Sequence, residues 1–250
     1  MTRTRFLALK PWEAAAFASG TKTVFRSPVS IPDHPSGADV TEVVPSLVNP
    51  SAVDVRYKLQ SPQLVMPPFH PGDVIYGRES FRTVNTLDGV KLSDAEVVPP
   101  IMYEADGYSR RPARPTPTTR TTDVEWLDGW SEGEAEPGVL RPSSHMPKWT
   151  SRIRKVVTDV RVEKLHDVER DPEGLAAEGV TTETLAGAPF EIKEPDGSIK
   201  TANFAWTSPS YAFAVLWHRK YRNTSMDWKY NPYVWVFSVA DHPMTNTGNR

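Results

Sequence analysis

Lys22 follows Gly20 between two threonines, and Glu178 ends the stretch Leu175-Ala176-Ala177. If the two shared a partly buried cleft, burial would lower the amine pKa toward that of a base, and the carboxylate would orient it. From spacing alone, a surface lysine and an unrelated glutamate at a helix end is the competing reading. Arg26, Arg78 and Glu79 form a second group. Arginine offers a planar fork to phosphate or carboxylate, and the "GRES" run follows a strand edge where a ligand could be met. Equally, Arg78 and Glu79 could form an internal ion pair. The third group is His145, Lys148, Trp149, Ser151 and Arg152, in "HMPKWTSR". Its cations suit phosphate, and its indole offers a stacking face to an unpaired base. The alternative there is a core Trp149, with Met146 and Pro147 shaping a turn. No second histidine stands at ligand spacing from His145, so no metal is expected, and no cofactor either. Near the C-terminus, Arg219, Lys220 and Arg222 flank Trp217 and Tyr221. They read as a nucleic-acid-facing helix end, or as cations favoured by a helix C-terminus.

The chain that must position these groups has 250 residues, 38% hydrophobic and 24% charged, and it lacks cysteine. Such a composition is that of a globular protein. Disulfides and thiolate zinc sites are excluded. The 24 prolines are about twice the usual share and imply long irregular connections. No apolar run is long enough for a membrane span. The basic start is interrupted by Lys10, Pro11 and Glu13 too early for a secretory signal, so a cytoplasmic location is expected. A net charge of −2 argues against coating a duplex by general electrostatics. Nucleic-acid contact would have to be local.

Pro11 can open a helix that Gly20 closes, after which "TKTVF" favours a strand. Residues 27–71 read as a long excursion with one short strand at "VDVRYKL". A strand follows at 74–77, and another at "IMYEAD". The basic 109–122 and acidic 123–138 tracts read as a solvated loop, their opposite charges offering an alternative pairing. From 153 the pattern has period two, with Val156, Thr158, Val160 and Val162 facing inward, and Asp159, Arg161 and Glu163 outward. Asp171 can cap a short helix that ends at Gly179. Residues 208–222 form the strongest helix, with Tyr211, Val215 and His218 or Arg219 at helical spacing. "NPYVWVFSVA" is a strong strand. Helix, strands, short helices and a terminal strand imply an α+β fold around a small barrel.

The strings "GTKTVFR", "GDVIYGRESF", "YEADG", "RPSSHMPKWTSRI", "VEKLHDVERDPEGLAAEGV", "LWHRKY" and "NPYVWVFSV" occur in this order. Together they resemble the ASCH domains of phage and prophage proteins, a family related to the PUA fold. The resemblance implies a PUA-like small β-barrel with flanking helices, in a single domain over 1–240. Long irregular inserts would lie at about 30–65 and 82–140, with a flexible tail at 241–250. It also implies binding of RNA or a nucleotide-like ligand. One bacterial branch removes acyl groups from N4-acetylcytidine, using a lysine, a threonine three residues on and a helical glutamate. The lysine falls on Lys22 and the glutamate on Glu178. The threonine falls on Phe25, which cannot act as a nucleophile. Arg26 stands one place earlier than the family motif has its arginine, and the glutamate preceding that arginine is absent.

The leading expectation is therefore an RNA- or nucleotide-binding cleft built from Lys22, Thr23, Arg26, Arg78, Glu79, the 145–152 segment and Glu178. A hydrolase acting on a modified nucleoside or RNA is the alternative, with Lys22 as base and a water or a nearby hydroxyl, such as Thr23 or Ser151, replacing the missing nucleophile. A third is a phage scaffold or host-interaction protein whose inserts carry the contacts. A phage-encoded protein would act in the host cytoplasm.

Overall fold

The computed structural model describes residues 4–31, 40–49, 51–92, 99–107, 109–112, 126–128, 136–180, 190–193, 199–202 and 208–242. The described elements begin with β1 (Thr4–Ala8), α1 (Pro11–Ser19) and β2 (Val24–Pro28). Next come β3 (Val40–Pro45), β4 (Val53–Tyr57), β5 (Gln63–Val65), β6 (Val74–Arg78) and β7 (Phe81–Arg82). The middle holds β8 (Ile101–Tyr103), β9 (Ser109–Pro112), β10 (Trp126–Asp128) and β11 (Arg154–Lys164). The remainder is α2 (Pro172–Ala177), β12 (Phe190–Lys193), β13 (Ile199–Ala202), α3 (Pro209–Tyr221) and β14 (Tyr233–Asp241). Short 3₁₀ turns intervene, among them Ser143–His145, Lys148–Thr150 and Leu165–Arg170. The fold is mixed α+β, with several sheets and few helices. Among the described residues, no helix is long and apolar enough to cross a membrane.

The chain divides into two compact units. The first comprises Met1–Gly20, Asp73–Val156 and Ala240–Arg250; the second comprises Thr21–Gly72 and Val157–Val239.

In the first unit, β1 runs parallel to β6, with Phe6 opposite Tyr76 and Ala8 opposite Arg78. The start of β11 runs antiparallel on the other side of β6, with Arg154 opposite Tyr76. Gly77 is needed at this crossing. Its amide donates to the Ile153 carbonyl at 2.9 Å, and a Cβ there would stand 2.9 Å from Ile153 Cβ and 2.7 Å from Leu9 Cδ1. A second sheet has the order β10-β9-β8-β7. Phe81, Leu92, Ile101, Tyr103 and Met146 form one buried hydrophobic cluster of this unit, with Trp149 packed against it. Helix α1 starts at Pro11 with the Glu13 carboxylate accepting the Lys10 amide at 3.0 Å. It ends where Gly20 enters the left-handed region at φ 80°, a conformation glycine takes without penalty.

In the second unit the strand order is β11-β14-β2. β14 and β2 are antiparallel, with Phe237 opposite Phe25 and Val236 opposite Arg26. Phe25 stacks on Phe237 at 4.8 Å between ring centroids, and Phe69 meets both rings edge-on. Helix α2 is capped by Asp171, whose carboxylate accepts the Gly174 amide at 2.8 Å. Ser208 caps α3 by accepting the Tyr211 amide at 3.2 Å.

Several expectations need correction. Within 27–71 the structure holds a three-stranded sheet of order β3-β4-β5, not one isolated strand. Val53, Val55 and Tyr57 are buried, with Asp54 and Arg56 less so, the alternation of a strand covered on one face. The buried face of β11 also changes parity. Lys155 and Val157 are buried, Thr158 and Asp159 exposed, and Val160 buried again, so Thr158 is not on an inward face and Val157 is. In α3 the inward stripe is Ala212, Phe213 and Trp217, and Tyr211 is exposed. Most of the basic and acidic tracts lies outside the described residues. Within them, the β9 and β10 backbones pair with Arg110 opposite Asp128. Of the expected tail, Asp241 closes β14 and accepts from the Lys155 amine at 2.6 Å; residues 243–250 lie outside the described residues.

Candidate functional site

The second unit brings Lys22 and Glu178 together. The backbone of Lys22 pairs antiparallel with that of Glu178, the Thr23 amide donates to the Ala177 carbonyl at 2.8 Å, and the Thr23 carbonyl accepts from Val239. This ties the segment before β2 to the last turn of α2. The Lys22 side chain is 1% exposed. Its amine donates to a Glu178 carboxylate oxygen and, at 2.9 Å, to the Glu178 main-chain carbonyl. The amine thus satisfies a carbonyl at a helix C-terminus, where a cation is favoured.

Arg26, four residues further along the extended chain, lies on the same face and is buried. One of its terminal nitrogens donates to the second Glu178 oxygen at 2.9 Å, and its Nε donates to Glu163 at 2.9 Å. Burial acts to lower the Arg26 pKa, but Glu178 and then Glu163 outweigh it and hold the guanidinium above its ordinary value. The other Glu163 oxygen accepts from Arg161 Nε at 3.3 Å. Among the described residues the cluster holds the cations Lys22, Arg26 and Arg161 and the carboxylates Glu163 and Glu178. It also has a direction: Lys22 is buried, whereas the Arg161 side chain is 42% exposed. Thr23 is exposed beside the buried end, and the Phe213 ring lies 5.9 Å from the Arg26 guanidinium carbon.

Glu163 and Arg161 were not among the residues expected from the sequence. Period two placed both on the outer face of a strand, where nothing local marks Glu163 as the partner of Arg26, 137 residues away. Phe25, where the resembled deacylases have their hydroxyl, is a core ring stacked on Phe237.

The other expected residues belong to the first unit. Arg78 does not pair with Glu79. Its guanidinium carbon lies 3.7 Å from the Phe6 ring centroid, whereas Glu79, 1% exposed, accepts two bonds from Arg152, each 2.8 Å. Successive strand residues point to opposite faces, which separates the two side chains. Arg152 also donates to Asp106 at 2.7 Å and lies 4.4 Å over the Tyr103 ring. Burial works against its charge, but Glu79 and Asp106 raise its pKa well above the ordinary value. Ser151 is buried, its hydroxyl 2.8 Å from the Gly77 carbonyl and 3.0 Å from that of Ile153, a structural use of the group. Trp149 is half-buried on the core, and Lys148 holds its amine 4.5 Å over Tyr76. His145 is exposed. Among the described residues, no group of three or more His, Asp and Glu side chains is arranged to hold a metal. His218, Arg219 and Lys220 are exposed in the last turn of α3, where the helix dipole favours cations.

Compared with known proteins, the chain matches no family model, no curated protein and no solved structure.

Proposed function

We propose that this chain is an ASCH-type protein with a PUA-like barrel, and that it binds RNA or a nucleotide-like ligand in the cytoplasm. The observation that carries this reading is the buried network Lys22–Glu178–Arg26–Glu163, assembled from positions up to 156 residues apart. Such a network is a poor way to gain stability, because desolvating the charges offsets their attraction, and apolar replacements of equal volume are often as stable. Clusters of buried ionisable groups concentrate at functional sites. Here the Arg161 side chain, 42% exposed, gives the network a cationic outer end that suits an anion. Titrating the protein with nucleosides, nucleotides and short RNA by isothermal calorimetry tests the reading. Wild type binds at least one of them, and Glu163→Gln and Lys22→Met weaken it; no heat with any probe overturns it.

The Lys22–Glu178 contact also favours the second reading, a hydrolase acting on an acylated nucleoside, because a base needs an orienting carboxylate. With Phe25 in the core, the nucleophile there would be water or the exposed Thr23 hydroxyl. Turnover of N4-acetylcytidine that Lys22→Ala abolishes supports this reading. Absence of product from wild type ends it.

A further inference from the structure

One face of the β1-β6-β11 array in the first unit carries cations laid over aromatic rings. Phe6, Tyr76 and Arg154 occupy one cross-strand row. Arg78 lies 3.7 Å over Phe6, Lys148 4.5 Å and Arg154 5.4 Å over Tyr76, and the two rings are 6.3 Å apart. The neighbouring acids are committed elsewhere: Glu79 and Asp106 to Arg152, Asp241 to Lys155. Among the described residues, neither Arg78 nor Lys148 meets a carboxylate, and the buried Nε of Arg78 has no hydrogen-bond partner. Phe6 remains 41% exposed, and Tyr76 lies buried beneath the cations.

Arg78 and Lys148, which meet no carboxylate among the described residues, stand beside an exposed ring, and this combination matches a strand of phosphodiesters with unstacked bases. A duplex fits less well, because its bases are paired and offer no face to Phe6. An acidic peptide would use the cations and leave the ring idle.

We infer that this sheet face binds single-stranded nucleic acid. Phe6 and the Arg78 guanidinium plane form the base-stacking platform, Lys148 and Arg78 contact phosphates, and Tyr76 is the floor that holds the cations in place. The inference rests on the reading that the protein meets nucleic acid, but it involves none of the Lys22 network.

Fluorescence anisotropy with a short fluorescein-labelled oligouridylate, its oligothymidylate counterpart and a duplex of equal length tests it. Wild type prefers either single strand to the duplex. Phe6→Ala weakens strand binding about tenfold, and Phe6→Trp restores it. Lys148→Gln lowers the slope of log K against log salt by about 0.7, the single-strand value per phosphate. Circular dichroism and a melting curve establish that each variant is folded. Folded Phe6→Ala and Lys148→Gln variants with wild-type affinity overturn the inference, as does equal binding of duplex. If strands bind and only Lys22→Met weakens them, the inference falls and the proposed function stands. If no strand binds and nucleosides do, the inference also falls; if nothing binds, both fall.

Discussion

The side-chain amine of Lys22 bonds two groups of a single residue, the carboxylate of Glu178 and, at 2.9 Å, its main-chain carbonyl. The first bond can be matched by any charged partner. The second fixes where the amine sits relative to the end of α2. Glu178→Gln takes the shared carboxylate from two buried cations, Lys22 and Arg26, and is expected to destabilise the fold by about 3–5 kcal/mol. Lys22→Met leaves Glu178 its bond from Arg26 and should cost less. The double variant should cost clearly less than the sum, since Lys22 no longer faces a neutral amide. Urea unfolding of the four proteins measures this coupling. Simple additivity would mean that the two side chains do not act as a pair.

The Arg152–Glu79 pair makes the same prediction in the first unit. Glu79 accepts two parallel bonds from one guanidinium, the arrangement in which arginine and lysine are least interchangeable. Arg152→Lys keeps the charge and loses the fork and the stacking on Tyr103. It should lower stability by about 1–3 kcal/mol, and Arg152→Ala should lower it further. Equal midpoints for wild type and Arg152→Lys would contradict the role of the fork.

Gly77→Ala sets a methyl group against Ile153 Cβ, an atom anchored directly to backbone. Strands β6 and β11 have to separate locally to admit it. A loss of about 1–3 kcal/mol is expected. A thermal melt reads it, and an unchanged midpoint would contradict the close approach.

Asp227 gives the pH dependence. The hydrogen bond from His218, 2.8 Å long, is the main cause that lowers its carboxyl pKa; burial opposes it, and the Trp228 backbone adds to the lowering. A depressed carboxyl pKa contributes stability that is present above the unfolded value, about 3.9. That contribution is lost as pH falls through the lower folded value. The stability gap between wild type and Asp227→Asn should therefore be steady near neutrality and close on acidification below about pH 4. Guanidinium unfolding across that range measures it, and a gap independent of pH refutes the assignment.

Local chemistry made much of the fold legible in advance. Pro11, Gly20, Asp171, Gly179 and Ser208 mark helix ends because each satisfies or restricts backbone groups within a few residues of itself. The β-branched and aromatic run at 233–241 announces a strand in the same way. What escaped depends on distant partners. The inward stripe of α3 contains Phe213 rather than Tyr211, a choice made by the surface it packs on. The β3-β4-β5 sheet was hidden because strands this short, bounded by prolines, carry little periodic signal. Lys22 and Glu178 were legible only through the resemblance to ASCH domains. Glu163 was missed because alternation assigns a residue to a face and does not show which distant side chain meets it there.

Both units are assembled from segments far apart in the chain, the first from three and the second from two. The Thr23 carbonyl receives its hydrogen bond from Val239, so the strand that follows Lys22 waits for nearly the last described residues to be synthesised. Neither unit can complete its sheet before that segment has been synthesised. A set of nested C-terminal truncations should therefore yield no stably folded intermediate fragment, and the ion network around Arg26 should form late, in a single concerted step.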